Sequence, residues 1–475
     1  HDWLKSAVHI ISTFLFVPIV SPYLPPHTRS HTMVRLASAL ALSATLDRAL
    51  ALNFARSDAV EGERLLPFRQ TLDNYADLQY YGNITVGRQQ LHAVLDTGSI
   101  EFVVLSDRCM RCGTMEKYHY RVSSAYQQGS ADTVLSYGSG TLDVQVAYDS
   151  VTAGHLSTMN VPFWEVGSAD MPLLSSSDFQ AIVGLGPIPE GTRMLSPDTE
   201  GVEGAAAVLL MKFGIDRFGV CLGREPGSPG YFTWNDDSQE RSTAHFTTLR
   251  VPQTGYWMLP LTDVSIGNTV IDCSQGCGAV VDTGTSLLAM PDSAQARLER
   301  AVAHLKGECG DLSKWPDFRF KLSGRPFSLP ADSYVGAVEG DVSEEMQTNF
   351  KPKPSSAATS LYATSSNKSQ ADKCEVSVMN VALDSDLGAI WILGAPFFRK
   401  YYSIFVQSQH SPSVSFAVAS DECKPMSATG MLLKPPRTLP RRINASSVRI
   451  SPWVKRFNAM EVNRSNETRK LPHRK

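Results

Sequence analysis

The chain has 475 residues, 43% apolar and 19% charged, a globular balance that excludes collagen-like, coiled-coil and wholly disordered classes. Its 33 glycines and 28 prolines follow no fixed period and point to a turn-rich, β-rich body of roughly two to four domains, or one large two-lobed unit. The net charge of −3 hides a division: residues 426–475 hold twelve Lys and Arg against Glu461 and Glu467, an excess of +10, so residues 1–425 carry −13.

In chain order, the apolar stretch 7–20 is too short for a bilayer span and is broken by Pro18. Residues 33–52 begin with Met33, carry Arg35 and continue into an apolar run, the composition of a signal peptide; a buried amphipathic helix is the competing reading. Residues before Met33 read as a translated upstream region or the start of a fragment. Sequons at Asn83, Asn367, Asn444, Asn463 and Asn466 are glycosylation candidates and agree with secretory entry. Residues 75–98 alternate apolar and polar side chains with glycine punctuation, predicting strand, turn, strand. Short β runs continue to about residue 419, interrupted by helical patterns over 205–212 and 292–306. The Ser/Ala/Thr-rich stretch 351–372 reads as an exposed loop, and the proline-punctuated end of the chain as a basic, flexible tail with no core of its own.

Eight cysteines, an even number behind a secretory start, favour disulfides; a zinc site from Cys109, Cys112, Cys273 and Cys277 is the alternative. No His-Glu-x-x-His, Gly-x-Ser-x-Gly or Walker-type motif is present, which leaves metallopeptidase, serine hydrolase and nucleotide-binding readings without their residues. Nothing implies a cofactor, a metal or nucleic-acid binding.

One internal repeat dominates. Ala93-Val94-Leu95-Asp96-Thr97-Gly98-Ser99 returns as Ala279-Val280-Val281-Asp282-Thr283-Gly284-Thr285, although one Asp-Thr-Gly is expected by chance only about 0.1 times in such a length. Each copy is followed by a hydrophobic run ending in glycine, Ala181-Ile182-Val183-Gly184 and Ile390-Trp391-Ile392-Leu393-Gly394. Two halves so built can face each other and bring two carboxylates together. Such a pair cannot easily ionise twice, so it shares a proton over an acidic range; one member can deprotonate a water while the other donates to a scissile carbonyl.

On these residues the chain resembles the pepsin family of aspartic endopeptidases over about residues 73–421, and some details are similar to the plasmepsin-like enzymes of parasitic protists. The resemblance implies a mainly β, bilobal pepsin-like acid protease fold, two related β-rich lobes with the cleft between them. It implies Asp96 and Asp282 as catalytic; Tyr137, Gly138 and Ser139 as the flap; and Gly98, Gly284 and Tyr256, beside Trp257, as substrate-binding positions. Thr97 and Thr283 would bond across the lobes, and Ser99 and Thr285 to the carboxylates. Bridges would join Cys109 to Cys112, Cys273 to Cys277 and Cys309 to Cys374, with the pairing of Cys221 and Cys423 left open.

Three departures stand out: Val103 replaces the family's Trp behind the flap, Ala395 replaces an Asp, and the short prosegment lacks a self-blocking Lys. The expected division is 1–52 upstream region and signal peptide, 53–65 prosegment, 66–250 N-terminal lobe, 251–425 C-terminal lobe and 426–475 tail. The expected protein is a monomeric endopeptidase of the secretory pathway acting on polypeptides without a cofactor. The rival is a non-catalytic binding protein that uses the same cleft.

Overall fold

The computed structural model describes residues 66–113, 115–137, 140–175, 177–187, 205–252, 254–305, 311–342, 347, 350, 375–408, 411–426 and 437–450. The signal peptide, the prosegment, the loop 351–372, Cys309, Cys374, Asn367, Asn463 and Asn466 lie outside them. No described helix is long and apolar enough to cross a membrane.

The residues expected as strand, turn, strand form Gln79–Val86 and Gln89–Asp96, paired antiparallel. Gly87 and Arg88 make the turn at φ 55° and 69°, the two left-handed residues that match the twist of a tight hairpin. A Cβ at Gly87 would also collide with Asp149, so side-chain space and backbone angle both demand glycine there.

Six consecutive strands of the largest sheet run in the order Thr247–Arg250, Ser413–Ala419, Tyr401–Val406, Arg217–Leu222, Gly230–Trp234, Phe68–Tyr75. Three come from each half of the sequence, and Tyr401–Val406 meets Arg217–Leu222 at the joint. Among the described residues Thr247–Arg250, just before the expected boundary at 250, pairs with Ser413–Ala419 of the second half. Trp257, Phe218 and Phe405 pack over the joint, with 5.1 Å between the Phe405 centroid and each of the other two rings. Large aromatic faces bury the most apolar area per residue, which suits a seam that must hold two halves in one register.

Each half also repeats one parallel contact. Gln89–Asp96 lies beside Ala181–Gly184, with Asp96 opposite Gly184; Cys277–Val281 lies beside Gly388–Leu393, with Val281 opposite Leu393. Buried on both faces, these strands are the near-continuous apolar runs noticed in the sequence. A Cβ at Gly184 would strike the backbone of Ile100 and Glu101, and one at Gly394 the carbonyls of Thr285 and Leu287, so both glycines let the Asp-Thr-Gly turn close against the neighbouring strand.

Helix Ala205–Lys212 forms over its expected range, whereas the pattern at 292–306 is helical only over Asp292–Ala301 and tightens into a 3-10 turn, Ala303–Leu305. Disulfides join Cys109 to Cys112, Cys273 to Cys277 and Cys221 to Cys423. The four sulfurs of the alternative zinc reading are thus joined in pairs. The third bridge, closing 202 residues, ties strand Arg217–Leu222 to the segment after Ser413–Ala419 and decides the pairing the sequence left open.

The end of the described chain departs from expectation. Within the supposed flexible tail, Arg441–Asn444 forms a strand parallel to Val335–Glu339, with Glu375–Val376 on the other edge. Asn444 begins a 3-10 turn, accepting from Ser446 N at 3.2 Å, and Ala445, Ser447, Val448, Arg449 and Ile450 are buried. The basic residues of 437–450 are held because the body supplies acids that the linear sequence does not set beside them. Arg437 lies 3.1 Å from Glu225, and Arg441 lies 3.4 Å from Asp77 and 3.9 Å from Asp332.

Candidate active site

The two Asp-Thr-Gly turns meet at the joint, and both carboxylates are fully buried. Each turn wraps its own aspartate in the same way. Gly98 N donates to Asp96 Oδ1 at 3.0 Å and Ser99 Oγ to Oδ2 at 3.0 Å; Gly284 N donates to Asp282 Oδ1 at 2.7 Å and Thr285 Oγ1 to Oδ2 at 2.6 Å. A carboxylate that receives one amide and one hydroxyl has little rotational freedom left.

The threonines join the turns reciprocally. Thr97 Oγ1 donates to Val281 O at 2.8 Å and accepts from Thr283 N at 2.9 Å, while Thr283 Oγ1 donates to Leu95 O at 2.6 Å and accepts from Thr97 N at 2.9 Å. Thr97 is fully buried and Thr283 half-buried, where a hydroxyl without such partners is costly. Gly98 then brings the acids together. A Cβ built on it would lie 2.5 Å from the Asp282 Cγ, so the Asp282 carboxylate rests against the backbone whose amide serves Asp96. Any side chain at 98 would separate the pair.

The other expected positions divide. Tyr137 ends strand Gln127–Tyr137 and is 1% exposed, in an apolar cluster with Val103, Leu105 and Trp164; Gly138 and Ser139 lie outside the described residues. Trp164, on the strand paired with the one that carries Val103, donates from Nε1 to Glu101 Oε2 at 3.0 Å. Tyr256 is half-buried against a second-half cluster, and Trp257 Nε1 donates to Leu185 O at 2.7 Å across the joint. Of the sequons, Asn444 is exposed and Asn83 half-buried.

Sequence reasoning missed a direct contact with one of the acids. Arg449, 2% exposed, donates from Nη2 to Asp96 Oδ2 at 3.1 Å, with its guanidinium 5.7 Å from the Phe179 ring centroid. Ser286, next to the second motif, donates its N–H to Arg449 O and accepts Arg449 N on its hydroxyl, both at 2.9 Å. Gln79 Nε2 donates to Ser447 O at 2.8 Å, and Tyr81 donates to Gln79 Oε1 at 2.6 Å. Burial of Tyr81 pushes its phenol well above the ordinary tyrosine range, which keeps it a neutral donor. The only signal in the sequence was the spacing of Ile443, Ala445, Val448 and Ile450 among the basic residues of the tail.

Two β-rich halves, each delivering an Asp-Thr-Gly turn to one buried joint, define the aspartyl protease class. A family model described as eukaryotic aspartyl protease matches residues 79–358, more than half of the chain, and the chain belongs to that family. It is 26% identical to pepsin A of Gallus gallus over 353 residues, 73% of this chain and 86% of that protein. It is 28% identical to renin-2 of Mus musculus over 364 residues, 73% and 81% of the two chains, and 26% identical to cathepsin E-B of Xenopus laevis over 348 residues, 71% and 79%. The protein is an aspartic endopeptidase with polypeptide substrates.

Proposed function

We propose that Asp96 and Asp282 are the catalytic pair and hydrolyse peptide bonds by activating a water at acidic pH. The single observation that carries this reading is Gly98, whose missing side chain lets the Asp282 carboxylate approach the turn that holds Asp96. The ionised member takes a proton from water as the water oxygen adds to the scissile carbonyl carbon, and the protonated member donates to the carbonyl oxygen. The tetrahedral diol then collapses, the C–N bond breaks and the leaving nitrogen takes up a proton, with no acyl-enzyme. Ser99 and Thr285 keep the carboxylates in place, and the threonine lock keeps the turns from drifting apart.

Tyr137, with Gly138 and Ser139, closes over the bound peptide as the flap, while Gly284 and Tyr256 line its path. The enzyme works as a monomer in the secretory pathway, secreted or in an endomembrane compartment. Its test is hydrolysis of a denatured protein at several acidic pH values by the wild type and by Asp96→Asn and Asp282→Asn. Turnover confined to the wild type, and blocked by a statine-containing peptide that mimics the tetrahedral diol, is expected. Equal turnover in all three would end the reading.

A further inference from the structure

Residues 437–450 run from the strand pair Val335–Glu339 and Arg441–Asn444 to the joint between the halves, and they touch both. Strand addition holds one end: Gly336 has no Cβ, and the room it leaves is filled by Ile443 Cδ1. Buried Arg441 adds an ion-pair anchor between Asp77 and Asp332. At the other end Ser286, from the second half, grips the Arg449 backbone in both directions, and the side chain crosses to Asp96 of the first half.

We propose that residues 437–450 are a built-in inhibitor, a tethered occupant of the cleft that must be displaced or removed before a polypeptide substrate can reach the acids. The inference rests on the reading of Asp96 and Asp282 as the catalytic pair. Its chemistry is local. The oxygen of Asp96 that receives the Ser99 hydroxyl also receives the Arg449 guanidinium, so an ion pair stands where a water would have to be deprotonated. A guanidinium held at that oxygen occupies the place where the attacking water would bind.

The tether makes the block effective. A segment joined to its own site competes at an effective concentration on the order of millimolar, so a polypeptide at micromolar concentration competes poorly with it and turnover is lowered rather than abolished while the segment stays docked. Charge adds to this, because the segment belongs to the +10 end of a chain whose remainder carries −13.

The test uses the full chain, verified intact by mass spectrometry, as wild type, Arg449→Ala and Ile443→Asp. Casein hydrolysis, affinity for a statine-containing peptide and amide hydrogen exchange over 443–450 are measured on each. Both variants should hydrolyse casein and bind the statine peptide at least about tenfold better than the wild type. In the wild type the amides of 443–450 should be protected and should lose protection when the statine peptide is added. A synthetic peptide spanning 440–450 should inhibit the Arg449→Ala chain competitively, and its own Arg449→Ala version should be at least about tenfold weaker. Equal statine affinity in all three chains, or free exchange of these amides in the wild type, would overturn the inhibitor. If statine affinity rises in the variants as expected but no chain hydrolyses casein, the occupant stands and the catalytic reading fails.

Discussion

The two Asp-Thr-Gly turns are nearly interchangeable in their hydrogen bonds and quite different in the residue that comes directly after each. In the first, Ser99 is followed by Ile100, whose backbone packs against Gly184. In the second, Thr285 is followed by Ser286, which binds Arg449 on both sides of its residue. Both turns carry the atoms that hold a carboxylate and aim it across the joint. One residue later they differ: Ser286 of the second half holds the end of the chain, while the first half presents Asp96, the acid that end reaches. Chemistry sits where the halves agree; the contact that covers it uses the place where they differ.

The agreement is broken most sharply by removing one acid. Asp96→Asn and Asp282→Asn should each lower turnover of a denatured protein by at least about 10²–10⁴-fold, since each removes one member of an acid–base pair. A large loss in one variant only would show that the halves are not equivalent. Next comes the covalent tie at the joint. Cys221→Ser with Cys423→Ser should cost about 2–5 kcal/mol in denaturant unfolding, and Cys273→Ser with Cys277→Ser less, because a bridge closing 202 residues restricts the unfolded chain more than one closing four. The reverse order would locate the weak point inside the second half.

How far the sequence reveals this comparison depends on which residues answer each other. The acids, their threonines and the glycine-terminated strands were legible because each signal occurs twice, and a repeated pattern exposes pairing that one copy hides. Helix 205–212 was legible from local pattern, and the helix from 292 was over-extended because Val302 and Leu305 fit a helical face yet lie in its cap and a following 3-10 turn. The end of the chain was misread for the opposite reason. Arg441 is met by Asp77 and Asp332, hundreds and about a hundred residues away, and burial beside Arg399 pushes its guanidinium down to about 10. In the linear text the same arginine is one charge in a solvated run.

The threonine lock gives a finer comparison. Thr97→Val and Thr283→Val keep the shape but remove a donor and leave an amide of the opposite turn without its acceptor, so each should destabilise the fold by about 1–3 kcal/mol. The bonds are reciprocal, so the double variant should lose less than the two singles combined, with a coupling of about 0.5–3 kcal/mol. Strict additivity in urea unfolding would mean that the two turns are held independently.

The smallest effect separates the hydroxyls that touch the acids. Ser99 Oγ lies 3.0 Å from Asp96 Oδ2 and Thr285 Oγ1 lies 2.6 Å from Asp282 Oδ2, the same role played by two residue types. If the role needs only an oriented O–H, then Ser99→Thr and Thr285→Ser should each leave kcat within about threefold of the wild type. Ser99→Ala and Thr285→Ala should each lower it by about tenfold, the equivalent of about 1.4 kcal/mol for a donor lost to a charged group. Thr285 carries a methyl that restricts its rotamer, so Thr285→Ser should fall slightly more than Ser99→Thr because it frees a side chain that was fixed. Single-turnover kinetics on one peptide would compare all four variants. A conservative exchange as damaging as its alanine counterpart would show that the turns differ in shape as well as in the residue next to each.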